Sequence, residues 1–220
     1  MSLLALGKAI ATDRRSLVYG GGTEGMMGVI SKTVADAGGS VIGVVPYAMR
    51  VAGGEKEKVA LDVGPDARQP SDNTPVLTQV TTILVDSMHD RKIEIAKRAD
   101  GFIGLPGGFG TFEEILEAIT WTQLGIYNKP VVLANIQGYW DPLRQLIHSA
   151  IGHAYIQPGK ARIVVFVDGP ADHADHENYD WGNALLQAFD NWTEIKGEPM
   201  FDWSRRSGDS MTEAGKLTAA

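Results

Sequence analysis

Three groups of residues in this chain are of types, and at spacings, that can do chemistry. The first is Gly20-Gly21-Gly22-Thr23-Glu24-Gly25, a G-x-G-x-x-G run between the apolar segment 16–19 and a helical pattern. Glycines let the backbone approach a phosphate, and the following helix offers its positive N-terminal end. A nicotinamide dinucleotide would also need an acidic residue about 20 positions on, at the end of the next strand. That strand ends Gly43-Val44-Val45-Pro46-Tyr47, and Asp36 comes too early, inside a helix. The run therefore reads as a phosphate loop or as a tight structural turn, with NAD disfavoured.

The second group is Pro106-Gly107-Gly108-Phe109-Gly110-Thr111, which follows the apolar run 101–105 and opens a periodic helix. Glycines at a helix N-terminus make a second phosphate-sized anion site. Phe112, Ile115, Leu116 and Ile119 form an i, i+3, i+4, i+7 stripe expected to face the core, with Glu113, Glu114 and Glu117 away from it. Glu114 has two readings that the local pattern leaves level. With Thr111 as N-cap it completes a capping box; otherwise its carboxylate serves a substrate. Trp121, opposite the stripe, reads either as a partner surface, hence an oligomer, or as packing against a further helix.

The third group lies on a helix expected over 87–99. Met88, Ile95 and Ala99 line one face, and Arg91 and Lys92 fall within it. Two cations on a core-facing stripe are costly unless paired or directed into a cleft. Either they snorkel to the surface, or Arg91 meets a carboxylate at the strand ends, Glu114 being the nearest candidate. The second reading is preferred.

These groups must be positioned by regular elements. Segments 16–19, 40–45, 80–85, 101–105, 131–135 and 163–167 read as buried strands. Helical patterns fall at 28–37, 88–99, 111–124, 142–154 and 181–192, and Leu3, Leu6 and Ile10 place an amphipathic helix at the start. Alternation of this kind gives a doubly wound parallel sheet with helices on both faces, and ligands bind at the strands' carboxyl ends. Both glycine clusters stand there. We expect one domain over 1–220, with a polar inserted loop at 50–75 and a flexible tail at 198–220.

Composition narrows the function. The 220 residues carry 20 Lys and Arg against 27 Asp and Glu, a net charge of −7, with 44% hydrophobic residues. That is an ordinary globular composition, and its acidity argues against nucleic acid as a partner. The absence of cysteine excludes disulfides, thiolate metal sites and cysteine nucleophiles. No apolar run reaches the 18 or so residues of a membrane span, and Met1 to Arg15 lacks the form of a secretory signal, so a cytoplasmic location is expected. His173 and His176, with Asp172 and Asp175, imitate a metal cluster but read as surface loop; no metal is expected.

Taken together, these motifs resemble the Lonely Guy (LOG) family, the cytokinin riboside 5′-monophosphate phosphoribohydrolases, whose members are often labelled lysine decarboxylases. The resemblance runs from about residue 5 to 190 without the 50–75 insertion. It is carried by Tyr19-Gly20-Gly21-Gly22 with Gly25-Met26-Met27-Gly28, by Met88-His89-Asp90-Arg91-Lys92, and by Pro106-Gly107-Gly108-Phe109-Gly110-Thr111-Phe112-Glu113-Glu114. It implies a Rossmann-like fold and a hydrolase of the N-glycosidic bond of N6-modified adenosine 5′-monophosphates, needing no cofactor. Arg91 and Glu114 match the family's catalytic positions. Gly108 to Thr111 would hold the phosphoribosyl part, with Met88, Lys92, Pro106, Gly107, Glu113 and Thr120 nearby and Gly20, Gly21, Gly22 and Gly25 completing the nucleotide site. Homodimers or larger multiples of a dimer are implied. Three departures bear on this: the chain begins after the family's usual first strand, a Glu ahead of the Arg-Lys helix has no clear match, and Ser87 stands where the plant-type motif has Asp. A general AMP glycosidase and a non-catalytic nucleotide-binding protein are the alternatives. A decarboxylase is the weakest reading, because no lysine has a recognisable pyridoxal-phosphate context.

Overall fold

The computed structural model describes residues 2–52, 61–62, 80–193 and 201–203. The chain divides into two compact units, Met1–Ala99 with Asp180–Leu186, and Asp100–Tyr179 with Gln187–Ala220.

The first unit runs α1 (Ser2–Thr12), β1 (Ser16–Tyr19), α2 (Gly25–Asp36), β2 (Ser40–Pro46), α3 (Tyr47–Val51), β3 (Leu61–Asp62), β4 (Val80–Val85) and α4 (Met88–Arg98). Its four strands are parallel in the order β1-β2-β4-β3, with Ser16 opposite Ser40 and Val41 opposite Val80. Central β2 reads as an unbroken apolar run because a strand between two parallel neighbours, covered by helices, is wet on neither face. Val44, Ile83 and Val85 form its core, with Val18, Ile42 and Ile95 packed against them. The expected opening helix is present: Leu6 and Ile10 are buried, and Gly7 lets α1 close on Thr33 of α2.

Two short elements depart from the loop expected over 50–75. The helix α3 reaches Val51, and β3 adds a parallel pair to β4, with Leu61 opposite Thr81. The rest of that segment, and most of the tail expected over 198–220, lie outside the described residues.

The second unit contains β5 (Phe102–Gly104), α5 (Phe109–Leu124), β6 (Val131–Asn135), α6 (Asp141–Gly152) and β7 (Val164–Asp168). The strands are parallel in the order β5-β6-β7, and all five residues of β6 are buried. The core gathers Ile115, Ala118, Val131, Leu133, Trp140 and Val164. The boundary between the units falls within the last helix, α7 (Trp181–Asp190).

The face that α5 buries differs from the expected stripe. Its buried residues are Ile115, Ala118, Trp121 and Thr122, whereas Phe112 and Leu116 are exposed. Small Ala118 and Thr122 let the helix lie close to the sheet, so close that a Cβ on Gly104 would sit 2.8 Å from Ile115 Cδ1. Trp121 meets Tyr127 at a ring separation of 5.8 Å. It is a core residue, which corrects its reading as a partner surface. Among the described residues no helix is long and apolar enough to cross a membrane.

Candidate active site

In the first unit, β1 delivers the chain into the turn 20–24 and then into α2. Gly21 adopts φ +85°, a left-handed conformation that side chains rarely tolerate. Its Cα lies over β2, where a Cβ on Gly43 would come within 2.9 Å of it. Gly22 is covered by the Met27 side chain, and Gly25 faces open space. The end of β2 carries no acid: the strand stops at Pro46 and runs into α3. Asp36 lies in α2 as expected, exposed and 2.8 Å from Lys32 Nζ. The dinucleotide reading therefore lacks its ribose partner here.

The other candidate residues of this unit stand on α4. Ser87 caps the helix: its hydroxyl oxygen accepts the Asp90 N–H at 3.0 Å while its O–H donates to Asp90 Oδ2 at 2.6 Å. Ser87 thus serves as a good N-cap. Met88 is exposed, contrary to its expected core orientation. The buried residues of α4 are Arg91 and Ala96, while Lys92 is half-buried. Arg91 is only 7% exposed, so it does not snorkel. Its Nη1 donates to Met88 Sδ at 3.7 Å, and its guanidinium lies directly over Gly20.

In the second unit, β5 leads through Leu105 and Pro106 into the second glycine cluster. The N-cap of α5 is Gly108, with no side-chain capping bond. Thr111 is therefore inside the helix, and the capping box expected of Thr111 and Glu114 is not formed. Thr111 instead folds back on Gly107, where its Oγ1 would be 2.1 Å from a Cβ. The first in-helix bond runs from Phe112 N–H to the Gly108 carbonyl at 3.0 Å. The amides of Phe109, Gly110 and Thr111 thus precede the helical ladder, as an anion-binding helix start requires. Gly108, Phe109, Gly110, Glu113 and Glu114 are exposed, and Pro106, Gly107 and Thr111 half-buried. Thr120 is exposed, with its hydroxyl donating to the Leu116 carbonyl at 2.7 Å.

The structure adds a residue that the sequence did not reveal. The Tyr139 hydroxyl donates to the Gly107 carbonyl and so ties down the glycine loop. Its ring stacks on Phe112 and meets Trp140 edge-on, with centroids at 6.5 and 5.1 Å. Behind it, buried Asn135 at the end of β6 accepts the Trp140 N–H at 2.7 Å and donates to Asp141 and Asp168 at 2.8 and 2.7 Å. Arg144 also donates to Asp168, at 2.6 Å. Burial alone would raise the Asp168 carboxyl, but the hydrogen bonds from Arg144 and Asn135 and the Arg144 charge carry it below the usual carboxylate range. Two adjacent aromatics, Tyr139-Trp140, in the connection between β6 and α6 were the available signal, though they fit no periodic pattern.

The histidine segment lies at the surface as expected at Asp172, His173 and Asp175, but not at His176. It forms a 3₁₀ turn, His173–Glu177, in which His176 is buried, accepts the Gln137 N–H at 3.1 Å and lies 2.8 Å from the Pro170 carbonyl. Its polar atoms thus serve the fold. Among the described residues no group of three or more His, Asp or Glu is placed to hold a metal ion.

Comparison with known proteins bears on these motifs together. A family model described as "Possible lysine decarboxylase" matches residues 27–176. The probable cytokinin riboside 5′-monophosphate phosphoribohydrolase LOG4 of Oryza sativa subsp. japonica is 41% identical over 77% of this chain and 65% of its own length. The Arabidopsis thaliana cytokinin riboside 5′-monophosphate phosphoribohydrolase LOG5 is 40% identical over 75% of this chain and 63% of its own. Arabidopsis thaliana LOG2, of the same name, is 39% identical over 74% and 67%. The chain thus spans a little under two thirds of the first of these relatives.

Proposed function

The chain belongs to the LOG family, and from that membership we propose that it hydrolyses the N-glycosidic bond of N6-modified adenosine 5′-monophosphates, releasing free cytokinin base and ribose 5-phosphate. The relatives' names support this substrate class. The observation that carries the reading is the start of α5. With Gly108 as N-cap, the amides of Phe109, Gly110 and Thr111 suit a phosphate.

In this reading the C1′–N9 bond breaks with its electron pair passing to the purine, which takes up a proton, and positive charge develops on the ribose ring. The Glu114 carboxylate stabilises that oxocarbenium-like sugar or captures it at C1′, and water completes the hydrolysis. Arg91 supplies a fixed cation to the same reaction. Phosphate binding at the second glycine cluster contributes remote binding energy that holds the ribose for attack. Met88, Lys92 and Thr120 complete the nucleotide contacts. The exposed apolar residues Phe109, Phe112 and Leu116 of α5 support assembly as a homodimer or a multiple of one. A cytoplasmic location belongs to the same proposal.

The test is chromatographic. Incubation with isopentenyladenosine 5′-monophosphate should release isopentenyladenine faster than AMP releases adenine. Equal rates would instead favour a general nucleotide glycosidase, and release from neither would favour a binding protein.

A further inference from the structure

Glycines near a phosphate loop are commonly read as places where the backbone approaches the ligand. At Gly20 the neighbouring atoms give a different answer. A Cβ built there would lie 1.8 Å from Arg91 Nη2, 2.8 Å from Cζ and 3.2 Å from Nε, and these are its three nearest neighbours. The guanidinium therefore covers the one face of Gly20 that any other residue would fill. The backbone of Gly20 is not in the left-handed region, unlike Gly21 and Gly25. Conformation thus gives no reason for glycine at this position; space for Arg91 does.

We propose that Gly20 is a positioning residue whose missing side chain forms the seat of the Arg91 guanidinium, fixing where the cation of α4 stands at the carboxyl end of β1. Three features set the seat. Ser87 and Asp90 fix the first turn of α4. Arg91 Nη1 reaches Met88 Sδ one turn back along the helix. The Gly20 backbone then limits how far the planar group can descend. Alanine at position 20 must push the guanidinium away from this place, because the atoms it meets are the charged end of a buried side chain. The role assigned to the displaced cation rests on the phosphoribohydrolase reading; the seat itself does not.

The experiment is a double-mutant cycle over the wild-type chain, Gly20→Ala, Arg91→Ala and the double variant, read by thermal melting and by base release from isopentenyladenosine 5′-monophosphate. With Arg91 present, Gly20→Ala should lower Tm by only a few degrees, since the end of a flexible side chain gives way cheaply, and reduce turnover tenfold or more. With Arg91→Ala, the same alanine enters vacated space, and Tm should stay level or rise. An equal fall in Tm in both backgrounds would overturn the proposal, as would a Gly20→Ala chain that melts and turns over like wild type. A wild-type chain without turnover would defeat the phosphoribohydrolase reading, while the Tm cycle would still decide whether the seat exists.

Discussion

Glu114 and Arg91 reach their proposed roles by opposite routes. Glu114 is exposed on α5 and Arg91 is almost wholly buried on α4. An exposed carboxylate in mid-helix contributes little to stability, so Glu114→Gln should melt within about 0.5 kcal/mol of wild type while turnover falls about a hundredfold or more. A variant that loses both together would mean that Glu114 serves the fold. Arg91→Ala should impair turnover far more than Lys92→Ala, because Arg91 is the proposed catalytic cation and Lys92 a substrate contact; equal, mild losses would count against its role. The buried place of Arg91 was legible from its position on the inward face of α4, whereas the local pattern left Glu114 level between capping and chemistry. The contacts around them were not legible. The grip of Tyr139 on Gly107 and the cover of Arg91 over Gly20 join residues far apart in the chain, and no local pattern encodes such a meeting.

Elements were read well where one physical cause dominates. Buried parallel strands are continuous apolar runs, so β2 and β6 fall where the runs are, while β1, expected to be buried, lies at the sheet edge with no residue fully buried. Helix faces were harder. The apolar row of α5 through Phe112 and Leu116 satisfied the periodicity, yet the row through Ile115, Ala118 and Thr122 meets the sheet because its small residues permit close approach. Ile115→Ala should therefore cost about 2–5 kcal/mol in denaturant unfolding, whereas Leu116→Ala, measured at a concentration low enough to keep the chain monomeric, should stay within about 0.5 kcal/mol. Similar costs at both sites would restore the original stripe. The apparent capping box failed for a related reason: the turn after β5 is short, so α5 begins at Phe109 and carries Thr111 past the capping position. On α4 the periodicity placed Arg91 on the inward face, where it is indeed buried, but it also placed Met88 there, and Met88 is exposed.

At the scale of the whole molecule, strand–helix alternation indicated parallel sheets, and the structure has them in both units. The division into two units left no mark in the sequence, since no linker composition separates residue 99 from 100. That the chain nevertheless folds as one domain is our proposal, and it predicts a single cooperative thermal transition by calorimetry; two resolved transitions would contradict it. The glycine clusters, the Arg-Lys pair and the glutamate helix are spread over both units. The central claim is that this chain cleaves a cytokinin nucleotide at its glycosidic bond. The most direct test is to incubate it with isopentenyladenosine 5′-monophosphate and quantify free base and ribose 5-phosphate together. Equimolar isopentenyladenine and ribose 5-phosphate are predicted; intact nucleotide, or dephosphorylated nucleoside without free base, would contradict the claim.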